Sequence, residues 1–218
     1  MWRRSAIAVA LAGCGSLSTY RTAEPIARGH TRYDLAVDVG AYRDRAQDTR
    51  TPGAHVELAA RHGVTATTDV TLKLYVPGAE LGVQHALGGG RWRWAIAAAL
   101  GGARTTASGG STDALYGHLR LTALATRRTS SRWAFTVGPI VTGGVFVPRA
   151  GGHAEGLLLG GFANAARRFG GCWQVVPELS LHVTAAGEVP VRGTVAQLGV
   201  ALGRKIGRAS CRERVFSS

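Results

Sequence analysis

Between Tyr33 and Leu202 apolar side chains recur at every second position, in about ten separate runs. That period belongs to strands with two unlike faces, not to helices. Tyr33, Leu35, Val37 and Val39 alternate with Asp34, Ala36, Asp38 and Gly40. Val56 and Leu58, then Val70, Leu72 and Leu74, then Leu81, Val83 and Leu87 continue the pattern, with His85 interrupting the apolar face. Trp92, Trp94, Ile96, Ala98 and Leu100 form a fifth run, and Leu115, Leu119 and Leu121 a sixth. Trp133, Phe135, Val137 and Val141 follow, then a Gly-rich stretch holding Leu158 and Phe162. Trp173, Val175, Leu179, Leu181 and Val183 precede the last run, Leu198, Val200 and Leu202. No run nears the roughly 18 apolar residues of a membrane helix, so a helical bundle is excluded.

The pattern predicts an all-β, antiparallel up-and-down barrel of about ten strands that spans a membrane. The strands have the length of a tilted span, and Trp92, Trp94, Trp133 and Trp173 sit at strand starts, where an interfacial girdle belongs. Connection lengths alternate. Arg43 to Pro52, Gly101 to Thr112, Gly143 to Gly152 and Ala185 to Arg192 are long; His62-Gly63, Gly88 to Gly90, Arg127 to Ser131 and Arg168 to Gly171 are short. Long outer loops and short periplasmic turns produce that parity, and Pro77-Gly78 breaks it. Many Gly and Ala on the inner face suit a narrow lumen. Lys73, Glu80, Arg91, Arg93, Arg120, Glu178, Ser180 and His182 are the expected lumen-facing polar residues, with Glu57 among the partners for the cations. Alternation is symmetric, however. A soluble barrel facing the periplasm, with Leu72, Leu74 and Trp94 inside around an apolar ligand, is the alternative.

Both ends of the chain read differently. Residues 1–13 have the basic start and short apolar run of a secretory signal. Leu11-Ala12-Gly13-Cys14 resembles a bacterial lipobox, which implies lipidation of Cys14 and makes residues 14–30 a tether into a barrel over 31–205. IGRASCRERV, Ile206 to Val215, resembles one reading frame of a common sequencing-library adapter, so 206–218 is taken as non-native.

The stretch ELAARHGVTATTDVTLKLYVPGAELGVQHAL, Glu57 to Leu87, carries Arg61-His62-Gly63 and Leu74-Tyr75-Val76-Pro77-Gly78. It resembles small bacterial outer-membrane β-barrel proteins, as does VVPELSLHV, Val175 to Val183. His62 departs from the aromatic more usual there. The resemblance implies a place in the bacterial outer membrane, insertion by the barrel-assembly machinery, and a structural, adhesive or narrow-pore role. It marks fold and carries no activity.

No chemistry rises above that. Glu178, Ser180 and His182 share one strand face, but residues two apart lie about 7 Å from one another, too far for a nucleophile–base bond. The seven His have no ligand spacing, and His153 with Glu155 is a weak pair, so no metal or cofactor is expected. Cys172 is expected to stay unpaired at a strand rim. Lys+Arg 26 against Asp+Glu 13 gives +13, yet no recognition helix, zinc spacing or aromatic-basic motif points to nucleic acid. The charge suits outer-membrane lipid, with Arg43, Arg45, Arg50 and Arg104 placed on outer loops for lipopolysaccharide phosphates. A monomer and no catalysis are expected.

Overall fold

The computed structural model describes residues 17–44, 48–76, 78–106, 113–149, 151–169, 172–187 and 193–206. The signal segment, Cys14 and residues 207–218 lie outside the described residues; Ile206 ends the last strand. Ten strands lie among the described residues: β1 (Thr31–Asp44), β2 (Thr49–Gly63), β3 (Thr68–Tyr75), β4 (Gly78–Gly88), β5 (Trp92–Thr106), β6 (Asp113–Arg128), β7 (Trp133–Pro148), β8 (Ala154–Phe169), β9 (Trp173–Gly187) and β10 (Gly193–Ile206). Each pairs antiparallel with its sequence neighbour, and β1 pairs with β10, so the sheet closes into an up-and-down barrel.

The alternation places polar residues inside. Leu72 is 47% exposed and its neighbour Lys73 only 4%; Leu35 is 48% exposed and Asp34 only 7%. Leu58, Leu81, Trp94, Ile96, Leu121, Phe135, Leu179 and Leu202 share the outward apolar face. Leu72, Leu74 and Trp94 therefore point outward, which corrects the soluble alternative built on an apolar interior. An outside of this kind, over a sheet with no edge, satisfies the demand lipid makes on a backbone.

Connection parity fares worse than the face argument. The strands continue past their apolar stretch, so the expected long loops shrink to residues 45–48, 107–112, 149–153 and 188–192. Gly-rich segments read as loop are still laddered: Gly144 pairs with His118 and Phe146 with Tyr116. Most strands are 14 to 16 residues long, where a tilted span needs about 9–11. The overrun lies above the apolar band, where nothing rewards a hydrophobic side chain. The Pro77-Gly78 irregularity has the same origin. β3 and β4 stop low, at 8 and 11 residues, so residues 49–56 of β2 pair with β1 alone and the rim is notched there.

The opposite, turn-end rim is closed by local chemistry. Thr65 Oγ1 accepts from the amides of Thr67 and Thr68 at 3.2 and 2.9 Å, and Ser130 Oγ from those of Arg132 and Trp133 at 3.2 and 3.0 Å. Gly88 and Gly89, at φ 86 and 133, turn the chain after a bulge in β4. Cys172 at this rim is disulfide-bonded, which corrects the expectation of an unpaired residue; the other two cysteines lie outside the described residues.

Leu121→Arg would set a charge in the middle of the outward apolar band. In lipid vesicles it should lower unfolding free energy by about 2–4 kcal/mol. Urea titration of the vesicle-embedded barrel measures this, with Thr122, which faces inward, as the position for a control substitution.

Candidate functional site

The lumen is occupied. Residues 17–30, the segment assigned to a tether, run inside the barrel from mid-height to the turn-end rim. Ser18, Tyr20, Arg21, Thr22, Ala23 and Ile26 are all buried. At the rim Gly29, with φ 73, reverses the chain into β1. Its amide donates to the carbonyl of Gly63, and the Gly63 amide to the carbonyl of His30.

Side chains from five strands hold the main chain of this segment, and a sixth strand holds its Ser18 hydroxyl. Glu178 on β9 accepts from the amides of Thr19 and Tyr20 at 2.6 and 2.7 Å and from the Thr19 hydroxyl at 2.8 Å. Asn164 on β8 donates to the Arg21 carbonyl and Gln84 on β4 to that of Thr22, each at 2.9 Å. Thr126 on β6 accepts from Ala23 at 2.7 Å, and Asp69 on β3 from Ile26 at 3.1 Å. Lys73 and Arg120 donate to the Ser18 carbonyl at 2.9 and 3.3 Å, and Asp38 on β1 accepts from the Ser18 hydroxyl at 3.4 Å. An extended segment with no sheet partner has amides and carbonyls that water would otherwise satisfy; buried, they need these groups. The inner wall makes room for it. A Cβ added at Gly199 would sit 1.9 Å from the Tyr20 hydroxyl.

The charges above and below the segment are matched. Arg120 makes a close ion pair with Glu80, which also accepts from His118 Nε2 at 3.0 Å. Lys73 lies 3.4 Å from Glu57 and 3.9 Å from Glu80. Nearer the rim Arg61 pairs with Asp69 at 2.8 Å and Arg32 with Asp34 at 2.6 Å. Such pairs are retained because removing one partner strands a buried charge. At the mouth Glu24 is gripped by Arg128 at 2.6 Å and Arg168 at 2.7 Å. Partial burial pushes the Glu24 carboxyl up, but the Arg128 hydrogen bond and both guanidinium charges outweigh it, leaving Glu24 below the usual carboxylate range.

Of the residues expected in the lumen, Lys73, Glu80, Arg120, Glu178, Ser180 and His182 are buried there. Arg91 is not: it precedes β5, in the turn, and is exposed. Arg93 has the inward parity but sits one residue into the strand, where the lumen opens; both line a mouth recess of about 460 Å³ beside Glu24. Glu178, expected to meet a cation, instead binds main-chain amides. No hydrogen bond joins Ser180 to His182: the Ser180 hydroxyl and both His182 ring nitrogens lack partners. No group of three or more metal-ligating side chains occurs among the described residues. Of the outer-loop arginines, Arg43 pairs with Asp48 at 2.8 Å, Arg50 and Arg104 are exposed, and Arg45 lies outside the described residues.

No family model and no curated protein matches the chain. Solved structures similar to it include Ail, the attachment invasion locus protein of Yersinia pestis, at 8% identity, covering 82% of this chain and 99% of that one with a TM-score of 0.45. Neisserial surface protein A is similar at 10% identity, over 82% and 97% of the two chains, TM-score 0.45. The outer membrane protease OmpT of Escherichia coli is similar at 6% identity, over 84% and 99%, TM-score 0.42. Likenesses this distant leave the site to be judged on its own geometry.

Glu178→Ala should free two buried amides at about 1–3 kcal/mol each and loosen the segment. Trypsin cleavage after Arg21, blocked while that residue is buried, should then appear in the folded barrel. The Glu24 clamp has a pH signature of the opposite end. Because its carboxyl is held low, the clamp contributes fully above the ordinary carboxylate pKa of about 4.3 and is lost as pH falls through the lower folded value. Hydrogen-exchange protection of the Ala23 and Ile26 amides, which bond Thr126 and Asp69 beside the clamp, should therefore hold at neutral pH and weaken only below the ordinary carboxylate pKa of about 4.3.

Proposed function

We propose that this chain is a transmembrane β-barrel of the bacterial outer membrane, structural or adhesive in role, and closed by its own N-terminal segment. The inverted burial carries the reading: a polar, charge-matched interior lies inside a continuous outward apolar wall. Water-soluble barrels hide the wall and wet the charges. The narrow-pore variant of the role is disfavoured while residues 17–28 fill the lumen, since their main chain takes up the polar groups an ion would use. Barrel-inserting machinery and outer-membrane lipid are the partners such a chain requires.

Two measurements test this. The folded protein should need detergent for extraction and migrate differently on gels before and after boiling; a protein soluble without detergent and indifferent to heating would refute the membrane assignment. In planar bilayers the intact chain should be silent, and a deletion of residues 17–28 should conduct in small steps. Steady conductance from the intact chain would overturn the closed state.

A further inference from the structure

Three of the five odd strands begin on a repeated feature at the turn-end rim. β5, β7 and β9 start with Trp92, Trp133 and Trp173. Directly across the ladder from each stands an arginine: Arg127, Arg167 and Arg204. The guanidinium carbons lie 6.0, 5.4 and 5.3 Å from the indole centroids. All six face outward, at the level where the apolar band ends. At these distances each guanidinium gains a cation–π attraction that holds it near its indole and leaves N–H donors for an acceptor.

No such acceptor is supplied by the described residues. Among the described residues no carboxylate is within ion-pair distance of Arg127, Arg167 or Arg204. The acids near this rim are already taken, Glu24 by Arg128 and Arg168, Asp34 by Arg32 and Asp69 by Arg61. Beside the Trp173–Arg204 pair an outward apolar recess of about 510 Å³ extends across the strands from β9 to β3, between Leu35, Leu58, Leu72, Leu74 and Leu202. An apolar recess edged by a cation with no carboxylate partner among the described residues matches a lipid: acyl chains over the leucines, a phosphodiester at the arginine.

We propose that this belt binds anionic glycerophospholipid of the leaflet at the turn end, with its main seat at Arg204 and Trp173. The proposal rests on the transmembrane reading above. It moves the contact with anionic lipid away from the loop arginines that sequence suggested, to the other rim. The attraction of one arginine for an anionic surface corresponds to about a fivefold enrichment of anionic over neutral headgroups beside it.

The belt carries its own reporters, since bromine on an acyl chain quenches nearby indoles. The full chain is folded into phosphatidylcholine vesicles containing a minor fraction of brominated phosphatidylglycerol, or the same fraction of brominated phosphatidylcholine. Brominated phosphatidylglycerol should quench more strongly, and the excess should shrink as salt is raised. The excess should vanish in Arg127→Gln/Arg167→Gln/Arg204→Gln and persist in Arg43→Gln/Arg50→Gln/Arg104→Gln, with the gel shift on boiling confirming that both variants fold. Equal quenching by the two lipids, or an excess unchanged in the belt variant, overturns the proposal. Removal of the excess by unlabelled lipopolysaccharide at equal phosphate would assign the site to lipid A phosphates and overturn it as well. If neither brominated lipid quenches at all, the transmembrane reading is what has failed.

Discussion

Lipid offers a backbone amide no partner. A sheet placed there must therefore pair β1 with β10, and once it has done so every residue either faces acyl chains or faces the lumen. The remaining features of the chain follow from that division. Leucine, valine and tryptophan take the outward positions, where on the transmembrane reading the solvent is hydrocarbon. Arginine, glutamate and threonine take the inward ones, where the closed wall removes most of the water that would normally hydrate them.

A closed lumen this narrow creates a second demand. Charges such as Arg120, Glu80, Lys73 and Glu57 are affordable only if each meets another within a few ångströms. The wall alone does not fill the space, because Gly199, Gly203 and other small residues line it. The N-terminal segment completes the packing. Its main chain supplies the donors and acceptors that Glu178, Asn164, Gln84 and Thr126 need, and those side chains in turn replace the sheet partner the segment lacks. The lumen and its occupant satisfy each other, and neither is well hydrogen-bonded alone.

The strands could be read directly from the period of Leu72-Lys73-Leu74 and its counterparts, because a two-sided environment writes itself into every second residue. Which side is out could not, since the period is the same for either choice. Strand ends were also hidden. Above the apolar band Gly143-Gly144 and Gly101-Gly102 ladder as well as any other residues, but composition there resembles a loop. Lys73, Glu80, Arg120, Glu178, Ser180 and His182 are buried at inward-parity positions; Arg93 shares that parity but stands at the strand's start, and Arg91 precedes the strand, because parity does not say where the wall begins. The segment from Leu17 to His30 has no period at all. Down to Ile26 it pairs with side chains, residues 28–30 alone meeting β2 at Gly63, and such pairing leaves no regular trace. The one hint was indirect: more glycine on the inner face than a side-chain-filled lumen requires.

The belt at the turn-end rim also bears on how the molecule is divided. Each Trp–Arg pair, and each of the Thr31–His62 and Thr68–His85 hydrogen bonds, joins the two free ends of one hairpin. The barrel is thus five hairpins side by side, each with its own clasp at the same height. Its girth is counted in such units: a hairpin gained or lost would widen or tighten the cylinder by one step while leaving every other clasp, and the level at which the wall meets the headgroups, where it was.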